Sequence, residues 1–182
     1  MEAGLSQRVS GYERIERDQY ESPVWCGTVL ADHFLRGRDV GMIWDCCDGP
    51  SHRLAALRKA GFTLVTSFDD VLQRRKVPNA NVRTIVSNPP FGRAGKPAYR
   101  ICWHALNLAP CVAMLLRNDF DSGKGRMPLF GDNPHFAGKL VLVDRPVWIT
   151  PAVASPSDNF SWFLWSRGHC GPPTVQYARR PT

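Results

Sequence analysis

Directly after Ser22-Pro23, apolar residues recur near helical spacing at Val24, Val29, Leu30, Phe34 and Leu35. A cap residue followed by a proline suited to a first turn predicts a helix over 24–35. A short apolar run from Val40 to Trp44 predicts a strand. Beyond it, Leu54, Leu57 and Ala60 mark the inner side of a helix that Ser51 can cap and Gly61 can end, with Arg58 and Lys59 in its last turn. Phe62 to Thr66 follows as a second strand. Strand, turn, helix and strand then fit within 27 residues, Val40 to Thr66, a βαβ unit with parallel strands and a right-handed crossover.

The alternation continues. Thr84 to Ser87 is a strand, Pro97 to Leu108 a helix with Ile101, Ala105 and Leu108 on one face, and Cys111 to Leu116 a continuous apolar strand of the kind buried on both sides. Asn118 to Phe136 is rich in Gly, Pro, Asp and Asn and long for a loop, a length that usually marks function. Lys139 to Val143 and Phe160 to Trp165 predict two closing strands, with Trp162, Phe163 and Trp165 as core. The expected fold is α/β, a doubly wound, mostly parallel, Rossmann-like sheet of seven strands or slightly fewer. Between Phe62–Thr66 and Thr84–Ser87 the chain is too short for a helix plus a further full strand, so the sheet is expected to be trimmed over 67–83. One domain over 20–170 follows a flexible segment, 1–19, and precedes a frayed or peripheral tail, 171–182.

Composition narrows the class. With 182 residues, 43% of them hydrophobic, the chain suits one core. Twenty-three Lys and Arg against sixteen Asp and Glu give +7, a balance that favours anionic partners, nucleic acid foremost. No stretch has the length and apolarity of a membrane span, so a cytoplasmic protein with no membrane partner is expected. The six cysteines lack the regular framework of a secreted domain, and no Cys-x-x-Cys occurs. Reduced thiols and no metal site are therefore expected, since the adjacent Cys46 and Cys47 do not easily clamp one tetrahedral ion.

Asn88-Pro89-Pro90-Phe91 carries the chemistry. It follows a predicted strand, where open α/β sheets put their ligands. Consecutive prolines stop a helix and stiffen a turn, so the Asn88 amide and the Pro89 carbonyl can converge as two acceptors for the two N–H groups of an exocyclic amine. Phe91 adds a flat surface on which a flipped-out base can stack. A plain strand-to-helix turn with an exposed Asn is the structural alternative.

With this motif the sequence resembles the class I S-adenosylmethionine-dependent methyltransferases that act on the N6 amine of adenine in DNA, most of all the compact phage and prophage members. The resemblance runs from about Tyr20 to Gly168 and implies S-adenosylmethionine as cofactor and DNA as partner. It implies that Asn88, Pro89, Pro90 and Phe91 form the catalytic motif. Ser22-Pro23 resembles the family's Thr/Ser-Pro start, which touches the methionine end of the cofactor. Asp45-Cys46-Cys47-Asp48-Gly49-Pro50-Ser51-His52 resembles its cofactor loop, with Asp45 toward the ammonium, Gly49 allowing close backbone approach, and Ser51 where a second glycine is usual. Phe68 stands at the position of the usual ribose-binding acid, a role that passes to Asp69 or Asp70. The long connection containing Asp119, Phe120, Lys124, Arg126, Phe130 and His135 faces the substrate in the resembled family, which makes Lys124 and Arg126 candidate phosphate contacts. Methylation of another planar amine or amide, in RNA or on a protein glutamine, and a non-catalytic nucleic-acid-binding module are the alternative functions. Asp45, Gly49 and Asn88 are expected to line one cavity at the carboxyl edge of the sheet.

Overall fold

The computed structural model describes residues 22–47, 52–66, 70–147 and 158–182. Helix α1, Val24–Leu30, runs on as a π-helical turn, Ala31–Leu35. Then come β1 (Met42–Asp45), α2 (His52–Lys59), β2 (Leu64–Thr66), β3 (Val82–Ser87), α3 (Lys96–Leu108), β4 (Cys111–Arg117), β5 (Phe136–Leu142), β6 (Phe160–Ser166) and β7 (Thr174–Ala178). Among the described residues these strands form one sheet in the order β2-β1-β3-β4-β6-β5-β7. Antiparallel β6 sits between β4 and β5, and every other neighbouring pair is parallel. This is the doubly wound α/β architecture expected.

The predicted elements form because each has an apolar side to bury. On one face of the sheet α1, its π-helical turn and α2 bring Cys26, Leu30, Phe34, Leu54 and Leu57 against Ile43, Val86, Leu115 and Trp162. On the other face Ala98, Ile101, Cys102 and Ala105 of α3 cover Ile85, Val112 and Met114. Trp162 and Trp165 are fully buried in β6 and satisfy their indole N–H groups on the Cys26 carbonyl at 2.8 Å and the Leu129 carbonyl at 2.6 Å. Among the described residues no helix is long and apolar enough to cross a membrane.

Between β2 and β3 the described residues hold a single 3-10 turn, Val71–Gln73, whose start is capped by the Asp70 carboxylate accepting the Leu72 N–H at 3.0 Å. No strand lies there among the described residues, in line with the short spacing. The opposite edge of the sheet is longer than expected, because 171–182 is not a frayed tail. It supplies β7, which pairs in parallel with β5 from Gly138↔Thr174 to Leu142↔Ala178. Two features make the docking possible. Ala178 is buried in the α1-side core, and Gly138 lets the strands approach, since a Cβ there would lie 2.6 Å from the Thr174 carbonyl oxygen.

The segment after β4 also departs from expectation. Because β4 and β5 are parallel, residues 118–135 must travel from the carboxyl end of one to the amino end of the other. They form a crossover with a 3-10 stretch, Lys124–Leu129, rather than a rim loop. Phe120, Leu129 and Phe130 are buried with α3, and the Phe130 ring lies 5.4 Å from both Phe163 and Trp165. His135 lies at the far edge, where its carbonyl accepts the Ser166 N–H at 2.8 Å.

Candidate active site

Strand β1 is flanked by β2 on one side and β3 on the other. The chain order reverses there, and a crevice opens at such a point beyond the carboxyl ends of the strands. Asp45 ends β1 and Ser87 ends β3. The Ser87 hydroxyl donates to Asp45 Oδ1 at 2.8 Å, joining the two strand tips.

Asp45 has a second partner that the motif gives no hint of. Arg53, from the first turn of α2, is fully buried and donates from Nη2 to Asp45 Oδ2 at 2.5 Å. Its Nη1 donates to Ser22 Oγ at 3.1 Å, and Asn88 Nδ2 donates to the same oxygen at 3.2 Å. Ser22, Asp45, Arg53 and Ser87 are inaccessible to solvent and Asn88 is 7% exposed. The five side chains make one buried polar cluster that runs from the tip of β1, through Ser22 ahead of α1, to the start of the Asn-Pro-Pro-Phe turn. A charge so deeply buried persists only when paired and hydrogen-bonded, and here both charges are.

Arg53 was legible in one respect. Arg53, Ala56, Leu57 and Ala60 stand at i, i+3, i+4 and i+7, so helical periodicity puts the arginine on the inner face of α2. Its position is held from behind by Gly27 of α1, where a Cβ would lie 2.5 Å from the Arg53 carbonyl oxygen. The two helix backbones can approach this closely only with glycine at that contact.

The remaining predicted residues divide as follows. Pro23 is buried and caps α1 through its carbonyl, which accepts the Cys26 N–H at 3.1 Å. Pro89 is buried and Pro90 half-buried. Phe91 is partly buried, touches both cores, and lies 5.6 Å from the Phe160 ring at an interplanar angle of 60°. Asp45 and Asn88 are therefore brought into one cluster. Gly49, Ser51, Phe68 and Asp69 lie outside the described residues.

The two candidate phosphate contacts differ. Lys124 is exposed, whereas Arg126 is half-buried and engaged by the protein's own groups. Its guanidinium lies 4.2 Å from the centre of the Phe120 ring and 5.1 Å from that of Tyr99, and donates to the Ala94 carbonyl at 2.9 Å. Cation–π contact of this kind pins the crossover to the turn before α3.

Cys46 and Cys47 follow β1, and the Cys47 N–H donates to Asp45 Oδ1 at 3.4 Å. The Cys46 thiol is held well above its ordinary pKa by its hydrogen bond with Cys47 and by burial. Burial likewise pushes Cys26 up to about 12, against the opposing charge of Arg53. Among the described residues no group of three or more His, Cys, Asp or Glu side chains is placed to hold a metal ion.

No family model matches the chain, and no curated protein sequence matches it. Solved structures do. A candidate RNA methyltransferase from Pyrococcus horikoshii superposes with a TM-score of 0.52 at 12% identity, over 87% of this chain and 93% of that one. The modification subunit of a candidate type I restriction enzyme from Vibrio vulnificus gives 0.55 at 11% identity, over 88% of this chain and 47% of its own length. The type IIG restriction endonuclease BpuSI gives 0.53 at 13% identity, over 82% and 26%. The class the fold defines is therefore the Rossmann-like α/β architecture that these three proteins share. At these identities the likeness is one of fold.

Proposed function

We propose that the protein is an S-adenosylmethionine-dependent methyltransferase acting on the N6 amine of adenine in DNA. The observation that carries this reading is the hydrogen-bonded path from Asp45 at the tip of β1 to Asn88 at the tip of β3, across the point where chain order reverses. The buried cluster, with Asp45 and Arg53 paired to each other, fixes the backbone at the tip of β1, where the methionine end of the cofactor would lie. Ser22, Pro23, Asp45 and Arg53, with Gly49, Ser51 and Asp69, would hold the cofactor. When bound it supplies a methyl group on a sulfonium.

The chain's own residues supply alignment and electrostatics. Asn88 directs its nitrogen end to Ser22, which assigns the oxygen end of the amide to accept an amine N–H beside the Pro89 carbonyl. Two acceptors there draw the amine nitrogen out of conjugation with its ring and stabilise the positive charge it gains in the transition state. Phe91, backed by Phe160, offers a face for the base. No side-chain nucleophile is needed. Lys124 is the candidate phosphate contact of the crossover.

One observation favours RNA as a second acceptor. The chain spans 93% of the structure named as a candidate RNA methyltransferase, but only 47% and 26% of the two restriction proteins. Tritium transfer from labelled S-adenosylmethionine, with the product nucleoside identified, tests both readings. N6-methyl-2′-deoxyadenosine from DNA supports the first, and label in RNA supports the second. Label in protein glutamine points to the third acceptor class. Nucleic-acid binding without transfer to any acceptor rejects the enzyme in favour of a binding module.

A further inference from the structure

Cys46 and Cys47 are free thiols that follow one another at the tip of β1, with Sγ atoms 3.6 Å apart. Cys46 is 1% exposed and Cys47 partly exposed. We propose that this pair is an oxidisable dithiol that closes to a vicinal disulfide when a peroxide reaches Cys47, so that the tip of β1 is a site of reversible modification. The sulfur atoms are in contact but unbonded, and a disulfide requires them at about 2.05 Å.

Exposure sets the order of events. The Cys47 sulfur, as thiolate, attacks one peroxide oxygen and the O–O bond breaks. Two electrons pass from sulfur to peroxide, whose second oxygen leaves and takes a proton as water, and Cys47 becomes a sulfenic acid. The Cys46 sulfur then attacks the Cys47 sulfur and the S–O bond breaks. The hydroxyl leaves with the Cys46 thiol proton as a second water. Two thiols and one peroxide thus give one disulfide and two waters. Cys46 has no direct access to oxidant, and its sulfur, 3.6 Å from that of Cys47, is placed to resolve the sulfenic acid. Cys26, Cys102 and Cys111 are buried, while exposed Cys170 follows antiparallel β6, whose carboxyl end lies at the amino ends of the parallel strands, away from the tip of β1.

Closure has a local cost that links it to the candidate site. Drawing the sulfurs together moves the Cys47 backbone, whose N–H donates to Asp45 Oδ1. This consequence rests on the proposed cofactor site, whereas the disulfide itself does not.

The test uses the full chain treated with hydrogen peroxide, alkylated, digested with trypsin and mapped by mass without reductant. The expected result is loss of two hydrogens in the peptide holding both Cys46 and Cys47, reversed by dithiothreitol. The same loss is expected in Cys102→Ser and is abolished in Cys46→Ser. A Cys47–Cys102 cross-link, or Cys47 sulfinic acid beside an alkylatable Cys46, overturns the proposal, as does peroxide chemistry confined to Cys170. Calorimetry with S-adenosylmethionine adds a second arm, in which oxidation is expected to lower affinity at least tenfold and dithiothreitol to restore it. Reduced protein that binds no S-adenosylmethionine defeats the functional reading alone, because the mapped disulfide is decided without ligand. Disulfide formation with unchanged affinity removes the link to the site.

Discussion

Arg53 Nη2 lies 2.5 Å from Asp45 Oδ2, and neither side chain is exposed. The pair explains why the tip of β1 and the tip of β3 act as one unit, since each partner also holds a residue of the neighbouring element: Asp45 accepts from Ser87, and Arg53 donates to the serine that also accepts from Asn88.

Removing one partner leaves the other charged and buried. Arg53→Met is expected to cost about 3–5 kcal/mol of stability, the range found when a buried ion pair is broken from one side. The double variant Asp45→Leu, Arg53→Met removes both charges and is expected to recover most of that loss in urea unfolding. Binding of S-adenosylmethionine is not expected to recover with it. Full recovery of binding in the double variant would show that the pair serves folding alone.

Gly27→Ala tests the support behind Arg53. Alanine is better than glycine in a helix by about 1 kcal/mol, so an unobstructed site would gain stability. Here the new Cβ would lie 2.5 Å from the Arg53 carbonyl oxygen and 3.0 Å from the Ala56 Cβ. Both contacts are on a neighbouring helix, and α1 must move away from α2. The overlap is expected to outweigh the propensity gain, for a net loss of about 1–2 kcal/mol. Thr28→Ala, at a half-buried position of α1, is expected to stay within about 0.5 kcal/mol of the wild type. Urea unfolding of both variants makes the comparison.

What the sequence reveals and conceals follows from how local each feature is. The βαβ unit and the strand before Asn88 are legible because apolar period and turn chemistry are local signals. Strand β7 is not. The side of Thr174 to Ala178 that carries Val175 and Tyr177 is the exposed one, at 59% and 68%, while the side turned inward buries only Ala178, and its pairing depends on Gly138, far away in the chain. The crossover at 118–135 is hidden for a related reason. Its turn-rich composition reads as a surface loop, and only the order of β4, β6 and β5 makes it span the sheet. Asp45 is legible as a candidate by position, but its buried partner on α2 depends on Gly27 and Ser22, residues that meet it only in the fold.

Alkaline pH offers a test of the buried thiols. Burial pushes the Cys26 thiol up to about 12 in the folded chain from an ordinary value of 9.0, and raises Cys102 and Cys111 as well. Above pH 9 the unfolded chain releases protons that the folded chain keeps. The unfolded state then binds fewer protons, and stability falls as pH rises. The Cys26 contribution is complete below pH 9 and lost by about pH 12. Cys26→Ala is expected to be less stable at neutral pH but to show a shallower decline above pH 9, by up to about 1.4 kcal/mol per pH unit. Parallel slopes for variant and wild type would contradict the assignment.

The last prediction separates alignment from capture in the Asn-Pro-Pro-Phe turn. Asn88→Ala removes an acceptor whose value grows as the amine becomes positive, so kcat is expected to fall about a hundredfold or more. Asn88 is also a donor to Ser22, yet Arg53 still donates to that oxygen, so the cofactor end keeps its tie and affinity for S-adenosylmethionine is expected to change little. Phe91→Ala acts elsewhere. Base stacking on an aromatic ring is worth about 1–3 kcal/mol in single-strand binders, so KM for DNA is expected to rise with a smaller effect on kcat. Phe91 also packs on Phe160, and Phe91→Leu keeps an apolar side chain there while removing the aromatic face. A KM that rises in Phe91→Leu as in Phe91→Ala, with unfolding unchanged in the former, assigns the effect to the base. Recovery in Phe91→Leu would assign it to packing. Full activity in Asn88→Ala would move the methyl acceptor's site away from this turn.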